Sequence, residues 1–148
     1  MAQAERTAEV TWEGDLAHGQ GRVERVGSGA FGPLDVSWAA RTEEPGGKTS
    51  PEELIAAAHA ACFSMALSHT LAEEGHAPER LDTSATVSFD RVGEGFEITM
   101  VELTVNGRVP GIDQDAFAKA AEQAKDNCPV SLALAGNVEM TVEPRLES

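Results

Sequence analysis

One uninterrupted apolar segment limits the folds open to this chain. Residues 54–67 read LIAAAHAACFSMAL, and only His59 and Ser64 in this segment are not apolar. A helix that is apolar on all sides has to be surrounded by protein, because one small sheet covers only one of its faces. We therefore expect a central helix, part of which faces a second copy of the chain.

The predicted helix has clear boundaries in the sequence. Ser50 fits the N-cap position, Pro51 fits the first helical position, and Glu53 lies three residues after the cap, as in a capping box. Gly75 is of the residue type that ends helices in a left-handed conformation. These boundaries place Cys62 about three turns into the helix.

The rest of the sequence predicts a single α+β domain spanning residues 1–148. Glycines within residues 90–95 suit the turn of a hairpin, Asp113 suits the N-cap of a second helix, and Pro129 suits the first position of a third. The predicted strands are 7–12, 21–26, 32–40, 83–89, 96–109 and 137–146, and the later helices are 114–126 and 129–135.

The charge of the chain excludes some classes of partner. It has 11 basic and 25 acidic residues, and the resulting net charge of -14 repels nucleic acid and anionic membranes. The N-terminal residues lack a basic start followed by an apolar stretch, and the apolar segment is expected to be too short to span a bilayer. We therefore expect a cytoplasmic protein. In that reducing compartment its two cysteines are either spectators or redox-active.

The two cysteines have different predicted surroundings. Cys62 lies in the apolar helix, where burial raises the pKa of a thiol, so that a thiolate there needs a cation beside it. Cys128 lies directly before the short third helix, whose unpaired N–H groups favour negative charge. From local reasoning Cys128 is the more acidic thiol, although both cysteines also fit small buried core residues.

Three motifs together carry a resemblance to a known family. The segments SPEELIAAAHAACFSMAL, VPGID and NCPVS resemble the osmotically inducible protein C and organic hydroperoxide resistance (OsmC/Ohr) family, and the first and last of them resemble its OsmC branch most. The resemblance covers nearly the whole chain. It implies an α+β OsmC-like fold, in which antiparallel sheets wrap central apolar helices in an intertwined homodimer with active sites at the subunit interface.

The resemblance implies a thiol peroxidase of the oxidative stress response. Cys62 would attack an organic hydroperoxide, Cys128 would resolve the resulting sulfenic acid as a disulfide, and Arg41 and Glu52 would hold the site, with Arg41 as the cation. The resemblance suggests that an external dithiol of lipoyl type would reopen the disulfide, and no metal or other cofactor is expected. An apolar pocket around Cys62 would favour organic peroxides, with Ile55, Phe63 and Met65 as its predicted lining.

Other functions remain open from the residues alone. His59 lies three positions before Cys62 and shares its helix face, so the two side chains suit a cysteine hydrolase or acyl transferase. No oxyanion-hole motif accompanies them. Zinc binding by Cys62 and His69 is not expected, because two helical turns separate them by about 10 Å. The third alternative is a non-catalytic binding protein in which both thiols are silent.

Overall fold

The computed structural model describes residues 2–147 and divides the chain into two compact units, with the boundary between Pro51 and Glu52. A single domain over residues 1–148 stays a prediction. The elements in chain order are β1 (Ala8–Glu13), β2 (Gln20–Val26), β3 (Leu34–Val36), α1 (Trp38–Thr42), α2 (Pro51–Glu73), β4 (Arg80–Val92), β5 (Gly95–Arg108), α3 (Gln114–Asn127), α4 (Pro129–Leu134) and β6 (Glu139–Leu146).

The first unit contains a small antiparallel sheet with strand order β1-β2-β3. The predicted strand 32–40 is wrong in its second half, because β3 stops at Val36 and α1 follows. Ser37 is the reason: its hydroxyl accepts a hydrogen bond from the Ala40 backbone N–H at 3.1 Å and so caps the new helix. Arg41, a predicted site residue, therefore lies in the last turn of α1.

The second unit contains the larger sheet, with strand order β4-β5-β6. The predicted hairpin is present, but its turn is shorter than expected: β4 and β5 pair as far as Val92 and Gly95, which leaves Gly93 and Glu94 as the turn. Strand β6 then pairs with β5 in the parallel direction, so this sheet is mixed and the expectation of antiparallel sheets is wrong for this pair. The α+β class is confirmed.

Helix α2 begins at Pro51 as predicted and ends before Gly75, which has a φ of 86°. Within the second unit it buries a stripe at every fourth position, formed by His59, Phe63, Leu67 and Leu71. An 18-residue window of this 23-residue helix has a mean hydropathy of 1.4, so the helix is long and apolar enough to cross a membrane by length and composition. The expectation of too short a segment concerned residues 54–67 alone, and core helices of soluble proteins pass the same test as the whole helix.

The core of the second unit lies between the sheet and its helices. Alternate residues of β5 are buried, and they meet the buried stripe of α2 and the buried face of α3. The central members are Phe63, Leu67, Leu71, Val101, Leu103, Val105 and Phe117. This packing fixes the height of α2 over the sheet and therefore the position of Cys62.

Helices α3 and α4 are separated by one residue, Cys128. Asp113 caps α3 as predicted, because its carboxylate accepts a hydrogen bond from the Ala116 backbone N–H at 2.8 Å. Cys128 closes α3 through a 2.9 Å hydrogen bond from its N–H to the Ala124 carbonyl. Pro129 then starts α4, because proline has no backbone N–H to donate the next hydrogen bond of α3.

Candidate active site

Cys62 lies at the edge of the core rather than inside it. It is half-buried, its neighbour Phe63 is fully buried, and the Cys62 side chain packs against the buried cluster. The predicted apolar lining is wrong for Phe63, which belongs to the core, while Met65 is 73% exposed. Helix α2 therefore holds the thiol on a rigid support, with one side reachable from outside the second unit.

Cys128 is fully buried, and both cysteines are free thiols. The structure brings Cys128 and Cys62 together, because Cys62 packs against the buried cluster that contains Cys128 and each thiol shifts the pKa of the other. Burial raises the pKa of Cys62, Cys128 adds to this increase, and the Val130 backbone N–H opposes it. Without a cation, the Cys62 thiol is therefore a weaker acid than a free cysteine.

The pKa of Cys128 moves in the opposite direction. Burial on its own would raise the pKa, but hydrogen bonds from the Ser131 hydroxyl, the backbone N–H groups of Ser131 and Val130, and the Cys62 thiol bring it below its ordinary value. The local prediction that Cys128 is the more acidic thiol of the pair agrees with these two directions. The Ser131 and Val130 donors lie at the start of α4, where backbone N–H groups have no partner within the helix.

Sequence reasoning missed Ser131 in this arrangement and gave His59 a different partner, Cys62. The Ser131 hydroxyl donates to Cys128 Sγ at 3.5 Å, and His59 Nε2 lies 2.7 Å from the same hydroxyl oxygen. Burial lowers the pKa of His59. The predicted pairing of His59 with Cys62 is not formed, because Nε2 bonds Ser131 and Nδ1 has no hydrogen-bond partner within residues 2–147.

Glu52 lies in the first turn of α2 and is 7% exposed, which is unusual for a carboxylate. Arg41 belongs to the first unit, where its guanidinium carbon lies 6.0 Å from the centre of the Trp38 ring. It also lines a cavity of about 380 Å³, together with Trp12, Leu16 and Pro51 among others. An arginine stacked on an indole ring remains charged, while the face of its guanidinium group is shielded from solvent by the ring.

Two neighbouring thiols with different pKa values, held by rigid helices over a mixed sheet, define an α+β protein with a two-cysteine site. The family described as OsmC-like protein matches residues 44–143. The chain belongs to this family.

Individual relatives agree with this assignment. The chain is 44% identical to peroxiredoxin OsmC of Escherichia coli over 97% of both chains. It is 34% identical to the organic hydroperoxide resistance protein of Xanthomonas axonopodis pv. citri over 66% of this chain and 67% of that protein. Among solved structures, organic hydroperoxide resistance protein OhrB of Bacillus subtilis superposes with a TM-score of 0.71 at 30% identity, covering 94% of this chain and 98% of that one. The predicted OsmC branch is in line with these values.

Proposed function

We propose that this chain is a cysteine-based peroxidase that reduces organic hydroperoxides. The observation that carries the proposal is that the half-buried Cys62 thiol and the fully buried Cys128 thiol are neighbours and both free. Its relatives are named as a peroxiredoxin and as organic hydroperoxide resistance proteins, which supports the same chemistry. No hydrolase motif accompanies the pair, and His59 is engaged elsewhere.

The reaction follows from the positions of the two thiols. The Cys62 thiolate attacks one oxygen of the O–O bond, the bond breaks, and the organic part leaves as an alcohol after taking up a proton. Cys62 is oxidised to a sulfenic acid, and the peroxide is reduced. Cys62 has this role because its side chain is the more accessible one, whereas a peroxide would have to enter the core to reach Cys128.

Cys128 completes the first half of the cycle. Its sulfur attacks the Cys62 sulfenic acid, an S–S bond forms, the S–O bond breaks, and hydroxide leaves and becomes water. An external dithiol then reduces the disulfide, and we propose a dithiol of lipoyl type. Because the two thiols are neighbours, we expect this resolution step to require little movement of the chain.

Arg41 and Glu52 complete the proposed site. Burial raises the pKa of Cys62, so a cation is needed for the thiolate to form, and a guanidinium would also stabilise charge on the leaving oxygen. A carboxylate beside that guanidinium would orient it through two parallel hydrogen bonds. We further propose a cytoplasmic homodimer, in which the exposed apolar face of α2 packs against a second copy.

A thiol count tests the proposal directly. One equivalent of cumene hydroperoxide added to the reduced protein should remove both thiols and produce one Cys62–Cys128 disulfide, identified by peptide mass. Cumyl alcohol, which lacks the O–O bond, is the control and should leave both thiols free. An unchanged thiol count after peroxide addition would contradict the peroxidase proposal.

Two variants assign the roles of the cysteines. Cys62→Ser should not react with peroxide, whereas Cys128→Ser should stop at a Cys62 sulfenic acid that dimedone traps. Dimedone on Cys128 in the first variant, with none on Cys62 in the second, would invert the two roles.

A further inference from the structure

Three buried side chains form a continuous row of hydrogen bonds behind the site. His59 of α2, Ser131 of α4 and Cys128 between α3 and α4 are 0%, 1% and 0% exposed. The distances along the row are 2.7 Å from His59 Nε2 to Ser131 Oγ and 3.5 Å from Ser131 Oγ to Cys128 Sγ. The row joins residues 72 positions apart in the chain, and it ends on a sulfur atom that reacts in the proposed function.

The protons along this row can be assigned. The Ser131 hydroxyl has one proton, and when that proton points to the Cys128 sulfur, the hydroxyl oxygen must accept from its other neighbour. His59 therefore carries its proton on Nε2, and its Nδ1 is left as an acceptor with no partner in residues 2–147. The imidazole is neutral in this state, which agrees with the direction in which burial shifts its pKa.

Packing alone does not explain why the polar pair of His59 and Ser131 is buried in the core. Both side chains are almost completely buried, and apolar side chains of similar volume would fill such space without burying polar atoms. The Ser131 hydroxyl is also the leading factor that lowers the pKa of Cys128 against the effect of burial. A buried polar arrangement of this kind calls for an explanation.

We infer that Ser131 and His59 promote the resolving step, with Ser131 donating a hydrogen bond to the Cys128 sulfur as it attacks and His59 positioning that hydroxyl. The inference rests on the proposed function. In this step the Cys128 sulfur loses its proton and is oxidised, the Cys62 sulfur is reduced from sulfenic acid to disulfide, and the S–O oxygen leaves as water. A donor aimed at Cys128 stabilises the thiolate form that attacks.

Stopped-flow kinetics separates this inference from a purely structural role. With excess cumene hydroperoxide, sulfenic acid formation at Cys62 depends on peroxide concentration, whereas disulfide formation is independent of it. Ser131→Ala should slow the second phase by about tenfold or more, the effect of losing a hydrogen bond to a charged group, and leave the first phase within about twofold. Dimedone should trap correspondingly more sulfenic acid.

Matched variants keep the test decisive. Ser131→Thr retains a hydroxyl and should restore most of the second-phase rate. His59→Gln retains an N–H donor, so it should be slowed less than His59→Leu, which has none. These His59 variants also provide a test if Ser131→Ala does not fold. Equal slowing of both phases, or an unchanged second phase in Ser131→Ala and His59→Leu, would overturn the inference. Failure of the parent protein to form any disulfide would instead reject the proposed function.

Discussion

Gly107 in β5 leaves space for an aromatic ring, and filling that space should destabilise the protein. A Cβ atom at this position would lie 2.4 Å from Cζ and 2.6 Å from Cε1 of Phe117, whereas Cβ contacts shorter than 3.0 Å essentially do not occur. Phe117 is fully buried in α3 and shares the core with Cys128. Gly107→Ala therefore requires the ring, or the helix that carries it, to move.

The size of the effect is the difference of two contributions. Overpacking of a core costs about 1–3 kcal/mol, while exchanging glycine for alanine gains about 0.4–1 kcal/mol by restricting the unfolded chain. We therefore expect Gly107→Ala to lower the free energy of unfolding by about 1–2 kcal/mol. For a chain of this size that corresponds to a Tm about 2–8 °C lower.

Gly95, in the same strand, is the matched control. A Cβ atom there would have nothing within 4 Å, so Gly95→Ala should be neutral or slightly stabilising. Urea denaturation of both variants, followed by circular dichroism, measures the difference. Combining Gly107→Ala with Phe117→Leu removes the ring atoms that clash, so the alanine should cost less in that background. If Gly107→Ala is as stable as Gly95→Ala, or costs the same with and without the ring, the packing argument is refuted.

Two further predictions concern the proposed site and the proposed dimer. Arg41→Ala should raise the pKa of Cys62 by one unit or more, which corresponds to about 1.4 kcal/mol per unit. The pH dependence of Cys62 alkylation in the Cys128→Ser protein measures this pKa, and Glu52→Ala should have a smaller effect. An unchanged pKa in Arg41→Ala would exclude Arg41 as the cation of the site. Met65 is 73% exposed on α2, and in the proposed dimer a carboxylate at this position would be buried without a partner. Met65→Glu should therefore lose the dimer mass in light scattering, whereas Met65→Leu should keep it. A dimer in both variants would exclude this face of α2 as the dimer interface.

Local signals in the sequence predicted most of the elements. Pro51 starts α2, Asp113 caps α3, and Gly75 takes a left-handed conformation after α2, each for a reason that depends only on nearby residues. The same kind of signal was overlooked at Ser37, where apolar alternation indicated a strand but the serine side chain caps α1. The position of Cys128 between two helices also followed from local chemistry, because Pro129 cannot continue α3.

The remaining features depend on contacts between distant parts of the chain. Nothing near His59 in the sequence indicates Ser131, because the packing of α4 against α2 brings them together. The best available signal was the spacing of Ser131 three residues after Cys128, which places it in the first turn of α4. The sequence also did not indicate that β6 is parallel to β5. An alternating pattern indicates which residues of a strand are buried, but not the direction in which the strand pairs with its neighbour.

The parallel pairing of β6 with β5 has a consequence for when the site exists during synthesis. Helix α2 and the β4–β5 hairpin join segments that are adjacent in the chain, so they can form before the C-terminal residues have been made. Parallel strands need a crossover, and here that crossover consists of α3, Cys128 and α4, with α3 packed on β6. A nascent chain that stops before β6 thus contains both cysteines but lacks the strand that anchors the crossover, so the thiol pair becomes fixed only once β6 has been made.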